Sequence, residues 1–146
     1  MIKSTVCYLV HDEKWLMLLR NKKQHDLNHG KWIGVGGKLK TNETPYECMV
    51  REVIEETGYQ VQSALYCGII HFHYEHHEDE EIYVYQTSDY VGTLHECSEG
   101  TLAYIPKKDI LDLELWEGDR IFLEKMFQNE VPFSIRLYYD ENEILI

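Results

Sequence analysis

The sequence predicts a single α+β domain that spans all 146 residues. A chain of this length is long enough to bury one hydrophobic core and too short to need a second. Runs of β-branched and apolar residues, which are typical of strands, lie on both sides of one well-marked helix. No internal repeat, low-complexity tract or linker divides the chain.

The helix lies in the central segment 36–59, around which the rest of the chain is organised. Thr44, with Glu47 three residues later, forms the capping-box pattern of a helix N-terminus. Pro45 suits the first helical position, where its missing N–H is not needed. Gly58 suits the left-handed position that ends many helices. We therefore expect a glycine-rich loop followed by a short capped helix.

This helix carries many carboxylates on one face. Glu52, Glu55 and Glu56 are spaced i, i+3 and i+4, so they meet on the same side of a helix. Like charges at this spacing destabilise an isolated helix by roughly 0.2–0.5 kcal/mol per pair. A hard divalent cation, which takes oxygen ligands from carboxylates and phosphates, would make the cluster favourable. A solvated acidic face is the alternative interpretation of the same spacing.

The segments around the helix are predicted from their composition. A strand pair is expected because the long apolar run 61–75 is followed, after a charged turn, by the apolar run 82–87. Gly118 weakens the start of a second helix. Strands are expected at 2–10, 15–20, 61–75 and 82–87, and as a terminal hairpin at 133–139 and 143–146; a turn of helix is expected at 107–113, a longer helix at 115–127, and loops at 21–30 and 89–100.

Composition argues against several classes of protein. The net charge is −12, which disfavours a broad electrostatic interaction with nucleic acid. The four cysteines are widely spaced and include no C-x-x-C pair, so we expect reduced thiols. The N-terminus lacks the apolar run of a signal peptide, and no segment has transmembrane length. These observations predict a cytoplasmic protein with neither a membrane nor a stable nucleic-acid partner.

The spacing within the central segment resembles the signature of a known family. Five residues separate Gly37 from Glu43, and seven separate Glu43 from Arg51. The pattern is similar to the Nudix box, with Tyr59 where the family usually has an aliphatic residue. Its glycine, glutamate and arginine positions are filled by Gly37, Glu43, Arg51, Glu52, Glu55, Glu56 and Gly58.

The resemblance implies a Nudix fold, which is an α/β/α sandwich with a central mixed β-sheet. It also implies hydrolysis of a nucleoside diphosphate linked to another moiety, with Mg²⁺ or Mn²⁺ as the cofactor. Arg51 would orient the carboxylates, and Gly37, Glu43 and Gly58 would support the geometry of loop and helix. By position, the metal ligands would be the backbone carbonyl of Gly36 and the carboxylates of Glu52, Glu55 and Glu56.

The general base stays open at this point. Water must attack phosphorus among negative oxygens, so a metal ion that lowers the pKa of bound water and a nearby carboxylate that accepts its proton suit the reaction. Glu52, Glu56 and Glu99 are the candidates for this proton acceptor.

Outside the box the chain resembles, more weakly, the MutT-type 8-oxo-dGTP diphosphatases, especially their vertebrate-like branch. Glu99 matches a further metal ligand from an acidic loop. The departures are Ile33, where that branch has an asparagine, and Gly118, where it has the first of two aspartates, so the choice of nucleotide stays open. The resemblance implies substrate-binding roles for Ile33, Lys38, Phe72, Trp116 and Asp119, although Phe72 and Trp116 could equally be core residues.

Four histidines, at positions 71, 73, 76 and 77, suggest a zinc site as an alternative. His71 and His73 would share one strand face. His76 and His77 lie in an acidic turn, and no paired cysteines follow. A surface or substrate-pocket role is therefore favoured over zinc.

We expect a metal-dependent nucleoside triphosphate diphosphatase that releases a monophosphate and pyrophosphate. Its substrates would be small nucleotides, in particular 8-oxo-dGTP or other non-standard purine nucleotides, with a role in DNA repair. The alternatives are a Nudix hydrolase of dinucleoside polyphosphates, nucleotide sugars or RNA 5′ ends, and a non-catalytic nucleotide-sensing module. The sequence leaves both a monomer and a homodimer open.

Overall fold

The computed structural model describes residues 1–22, 26 and 28–142. None of the helices in this part of the chain has the length and hydropathy of a membrane-spanning segment. The elements are β1 (Ile2–His11), β2 (Lys14–Leu19), β3 (Trp32–Ile33), β4 (Val35–Lys38), α1 (Pro45–Thr57), β5 (Tyr59–Tyr74), β6 (Glu80–Gly92), β7 (Thr101–Pro106), a 3₁₀ helix (Lys107–Asp112), α2 (Glu117–Phe127) and β8 (Phe133–Tyr139).

The strands form one mixed sheet in the order β3-β2-β1-β6-β5-β8, with β4 paired to β1 and β7 paired to β2. β1 runs parallel to β6, and β5 runs parallel to β8. The other pairs are antiparallel. Val6 of β1 lies between Gly36 of β4 and Val84 of β6. The two glycines that were expected in a loop are therefore paired in strand β4, and β1 connects this strand to the middle of the sheet.

A hydrophobic core lies on each face of the sheet, because successive side chains of a strand point to opposite faces. Leu9 of β1 belongs to the core that contains Val53 of α1. Tyr8, its neighbour in sequence, packs on the other face, with its ring centroid 6.2 Å from that of Phe122 of α2. The predicted α/β/α sandwich around a mixed sheet is thus confirmed.

α1 begins and ends at the predicted residues. The backbone N–H of Glu47 donates to the Thr44 hydroxyl (3.1 Å), and the N–H of Thr44 donates to the Glu47 carboxylate (2.9 Å). Pro45 is the first helical residue, and Gly58 has the left-handed φ of 87°. The capping box and the C-terminal glycine therefore define this helix locally.

The structure corrects the predicted elements in two places. Residues 89–92 were expected in a loop but continue β6, because bulges in β5 keep the two strands paired beyond Thr87. The hydroxyl of Thr87 also accepts a hydrogen bond from the N–H of Asp89. α2 begins at Glu117, two residues after the predicted start. β8 pairs in parallel with β5, and the predicted partner strand 143–146 lies outside the described residues.

Candidate active site

Two glycines of β4 allow close approaches on the two sides of this strand. A Cβ at Gly36 would lie 1.9 Å from the carbonyl oxygen of Thr5 on the neighbouring strand β1. A Cβ at Gly37 would lie 2.5 Å from the carboxylate carbon of Glu52 on α1. A side chain at Gly36 would therefore push β4 away from β1, and a side chain at Gly37 would displace the carboxylate of Glu52.

The three predicted ligands on α1 do not share one environment. Glu56 is 8% exposed and accepts a hydrogen bond of 3.1 Å from the N–H of Gly36. Glu52 also faces the cavity beside the glycines. The side chain of Glu55 is 53% exposed and does not line this cavity. The helical spacing groups all three carboxylates, but only Glu52 and Glu56 line this cavity.

Arg51 ties the helix to the loop that precedes it. Its guanidinium donates to both carboxylate oxygens of Glu43 (2.7 and 2.9 Å), to Glu52 (2.7 Å) and to the carbonyl of Lys38 (3.2 Å). These hydrogen bonds hold the pKa of Glu43 at about 2, and the N–H of Lys40 contributes to the same effect. The Arg51–Glu43 pair thus fixes the loop, and the bond to Glu52 orients that carboxylate.

Glu99, from the loop between β6 and β7, meets the carboxylates of α1. Burial raises the pKa of Glu56 well above its usual range, and a hydrogen bond with Glu99 and the charges of Glu99 and Glu52 raise it further. Burial also raises the pKa of Glu52, against the opposing effect of Arg51. Carboxyl groups this close cannot all ionise unless a cation compensates them. The loop residue predicted to join the site does lie in it.

The donor set fits a hard divalent cation. Among the described residues, no group of three or more His, Cys, Asp or Glu side chains forms a preassembled metal cage. Mg²⁺ does not require one, because it is commonly bound through one or two carboxylates together with substrate phosphates and water. Glu56 and Glu99, in mutual contact beside Gly36, supply oxygen ligands of that kind.

The histidines pair with separate carboxylates. Nδ1 of His73 lies 2.7 Å from the carboxylate of Asp79, and Nε2 of His76 lies 3.3 Å from that of Glu141. His77 lines the large cavity and packs its ring against Tyr74. These contacts distribute the imidazoles among different partners.

A cavity of about 680 Å³ connects the carboxylates to the face of the sheet that α2 covers. Ligand pockets for nucleotide-sized molecules are typically about 300–1,000 Å³. The residues of its wall that the sequence had singled out are Ile33, Gly36, Gly37, Lys38, Arg51, Glu52, Phe72, Glu56, Glu99, Trp116 and Asp119.

Trp116 is held on several sides and still contributes to the cavity wall. Its indole N–H donates to the side-chain oxygen of Asn28 (2.8 Å). The ammonium of Lys31 lies 4.8 Å from the ring centroid, and the rings of Tyr139 and Phe72 pack against it edge-on at 4.8 and 5.9 Å. Both interpretations of Trp116 thus apply, because it is a core residue that also borders the cavity.

Asp119 supplies a titratable group to the same end of the cavity. Burial raises its pKa to about 7, against the opposing charges of Lys31 and Arg120. Near neutral pH this carboxyl group therefore exists in both forms, one that donates and one that only accepts hydrogen bonds. Such a group can bind either kind of atom on a nucleobase edge.

Packing explains the glycine that precedes Asp119. A Cβ at Gly118 would lie 2.5 Å from Cδ1 of Leu137 and 2.7 Å from the hydroxyl oxygen of Tyr139. The backbone N–H of Gly118 donates to this hydroxyl (2.6 Å). A second aspartate has no room here, because Tyr139 and Leu137 occupy its place.

The residues of the cavity wall that sequence reasoning missed include Arg20, Asp26 and Asn28. Arg20 is the last residue of the predicted strand and directly follows β2 in the structure, and a charged residue at the end of an apolar run was the available signal. Its contacts with Asp26 and Glu99 depend on how two distant segments pack, which no local pattern indicates.

Comparison with known proteins points to one family. The model of the NUDIX domain matches residues 1–126. The chain is 27% identical over 114 residues to an oxidized purine nucleoside triphosphate hydrolase of Danio rerio, covering 77% of this chain and 73% of that protein. It is 28% identical over 133 residues to the uncharacterized Nudix hydrolase YvcI of Bacillus subtilis, covering 88% of this chain and 80% of that protein.

Solved structures agree on the fold. The crystal structure of a mutator MutT protein from Bacillus halodurans superposes with a TM-score of 0.90 at 21% identity, covering 100% of this chain and 95% of that one. A MutT protein from Methanosarcina mazei superposes with a TM-score of 0.77 at 24% identity, covering 88% and 94% of the two chains.

Proposed function

Because the chain belongs to the Nudix family and is a hydrolase, we propose that it cleaves a nucleoside triphosphate into a monophosphate and pyrophosphate. We propose oxidised or other non-standard purine nucleotides, including 8-oxo-dGTP, as the preferred substrates, and removal of such nucleotides in the cytoplasm as the role. The observation that carries this proposal is one cavity whose wall includes the glycines of β4 with the nearby carboxylates and also Trp116 and Asp119. One end suits phosphates, and the other suits a base.

At the phosphate end, the carbonyl of Gly36 and the carboxylates of Glu52, Glu56 and Glu99 would hold Mg²⁺ or Mn²⁺. When bound, the ion neutralises phosphate charge and lowers the pKa of the attacking water. Glu55 is absent from this set because its side chain is exposed outside the cavity wall.

Glu52 is our proposed proton acceptor. Glu56 is engaged by the N–H of Gly36 and by Glu99, whereas Glu52 faces the cavity and is oriented by Arg51. A carboxylate held in place near the attacking water can take up its proton as the new bond to phosphorus forms. Arg51 acts on the reaction through Glu52 and is a positioning residue.

At the other end, the rings of Phe72 and Trp116 provide apolar contact for a base, and Asp119 binds its edge. Ile33 adds apolar surface where a polar side chain would add selectivity, so this pocket would tolerate more than one purine. Lys38 lines the wall between the two ends and would attract the phosphates.

The proposal is tested with a panel of normal and oxidised nucleoside triphosphates, dinucleoside polyphosphates and nucleotide sugars, each with Mg²⁺ or Mn²⁺. Products are identified by mass spectrometry, so the alternative Nudix substrates are tested in the same experiment. We expect metal-dependent pyrophosphate release, fastest with an oxidised purine triphosphate. Failure to release pyrophosphate from any triphosphate would refute the proposed reaction.

The role of Glu52 is tested by Glu52→Gln. We expect kcat to fall by roughly 10²–10⁴-fold, the range that general-base catalysis contributes. Glu55→Gln is the matched control, because the same exchange on the same helix lies outside the cavity wall and should cost far less. Circular dichroism and thermal unfolding check that both variants fold. Equal turnover by Glu52→Gln and the wild type would refute this assignment.

A further inference from the structure

The segment that follows β2 is attached to the loop that carries Glu99. The ammonium of Lys22 donates to the carbonyl of Cys97 (2.8 Å), two residues before Glu99. The side-chain amide of Asn21 donates to the hydroxyl of Thr101 (3.0 Å), two residues after it. These contacts hold the loop on both sides of Glu99.

The two backbones also touch. A Cβ at Gly100 would lie 1.9 Å from the carbonyl oxygen of Leu19, so only glycine allows this approach. The residue after Leu19 is Arg20, and the residue before Gly100 is Glu99. The close approach therefore places these two charged side chains side by side.

Arg20 lies between two carboxylates in the cavity wall. The guanidinium Nη1 is 3.5 Å from the carboxylate of Glu99. Nε is 2.7 Å from the carboxylate of Asp26, and this second contact is an ion pair whose geometry is not that of a hydrogen bond. The side chains of Arg20 and Asp26 are 15% and 9% exposed. Little water is available to replace the guanidinium, so its removal would leave both carboxylates poorly compensated.

The same contacts lead on to the nucleoside end of the cavity. The Asp26 carboxylate accepts from the backbone N–H of Asn28 (3.2 Å), and the Asn28 side chain accepts from the indole of Trp116 (2.8 Å). A continuous series of polar contacts thus runs from Trp116 to Glu99 through Arg20.

We propose that Arg20 is a positioning residue for Glu99: it holds this carboxylate beside Glu56, where both can bind a divalent cation. This inference rests on the metal site of the proposed function. A positioning role for Arg20 also predicts a change in cation affinity opposite to the change that its positive charge alone predicts. Arg20 is a cation close to a cation site, so a purely electrostatic role requires that its removal tighten cation binding, whereas a positioning role requires that its removal weaken it.

The test measures Mn²⁺ binding to the substrate-free protein by electron paramagnetic resonance. Loss of a group that orients a metal ligand typically costs roughly 10–100-fold in affinity, and for Arg20→Met we expect a loss near the lower end, about tenfold. Arg20→Lys keeps the charge but presents a compact ammonium, and it should recover part of the loss. Arg136→Met, on β8 and outside the cavity, removes the same charge and should leave the affinity unchanged.

The decisive comparison repeats Arg20→Met in a Glu99→Ala background. If Arg20 acts through Glu99, its removal there should cause no further loss, because the ligand that it positions is already absent. Tighter Mn²⁺ binding by Arg20→Met alone, or the same tenfold loss without Glu99, would overturn the inference. Wild-type binding that does not depend on Glu99 would overturn the metal site itself, and pyrophosphate release by the wild type reports separately on the reaction.

Discussion

Asp119 should make the stability of the protein depend on pH, and Asp119→Asn isolates that dependence. Burial raises the pKa of this carboxyl from 3.8 to about 7. Between these values the folded protein holds a proton that the unfolded chain has released, so rising pH favours unfolding. At about 1.4 kcal/mol per pKa unit the upper limit is about 4 kcal/mol. The side chain is only half-buried and faces an open cavity, so we expect about 1–2 kcal/mol.

The assay is urea unfolding of the wild type and Asp119→Asn from about pH 5 to about pH 8. Contributions from the other titrating groups cancel in the difference between the two proteins, since Asn replaces Asp with little change of shape. We expect the wild type to lose free energy of unfolding relative to the variant up to about pH 7, after which the two curves should run parallel. Parallel curves over the whole range, or a relative gain of the wild type, would refute the burial argument.

Two glycine substitutions test the close packing around the site. Gly37→Ala places a methyl group against the carboxylate of Glu52. Because the flexible end of that side chain can move, we expect unchanged thermal stability. We also expect kcat to fall by roughly 10²-fold, which is typical of a misplaced catalytic group. Gly118→Ala places a methyl group against the buried side chains of Leu137 and Tyr139. The cost of overpacking, about 1–3 kcal/mol, should exceed the gain in helix propensity of about 1 kcal/mol, so urea unfolding should show a net destabilisation. A variant as stable as the wild type, or more stable, would contradict this prediction.

The features that the sequence predicted correctly depend on local interactions. The capping box of Thr44 and Glu47, Pro45 at the first helical turn and Gly58 at the end define α1 within a few residues. The strands follow from runs of β-branched and apolar residues, because a strand covered by a core on each face is apolar throughout. Such features need no knowledge of distant contacts, whereas the layers around α1 were predicted from the resemblance to the Nudix family.

The features that were missed depend on contacts between distant segments. Helical spacing groups Glu55 with its neighbours, and it does contact Arg51 (3.4 Å), but its side chain is 53% exposed and does not line the cavity. Arg20 enters the cavity wall because the segment after β2 packs against the loop of Glu99. The segment 89–100 is polar as a whole, which suggested a loop, yet its first four residues are paired in β6 because β5 bulges to follow them.

Two departures from the family pattern, Tyr59 and Gly118, are each matched by the residues that pack against them. Tyr59 stands where an aliphatic residue is usual, and its hydroxyl accepts from Tyr104, which in turn is hydrogen-bonded to Tyr90 (3.3 and 2.7 Å). A buried hydroxyl without such partners would destabilise the core. Tyr90 and Tyr104 lie on the strands that flank the loop of Glu99, so this substitution brings a contact that braces the loop. Gly118 follows the same logic, because the hydroxyl of Tyr139 occupies the space that a side chain would need. Introducing an aspartate at Gly118, as in the family pattern, therefore requires joint substitution of the residues packed against it.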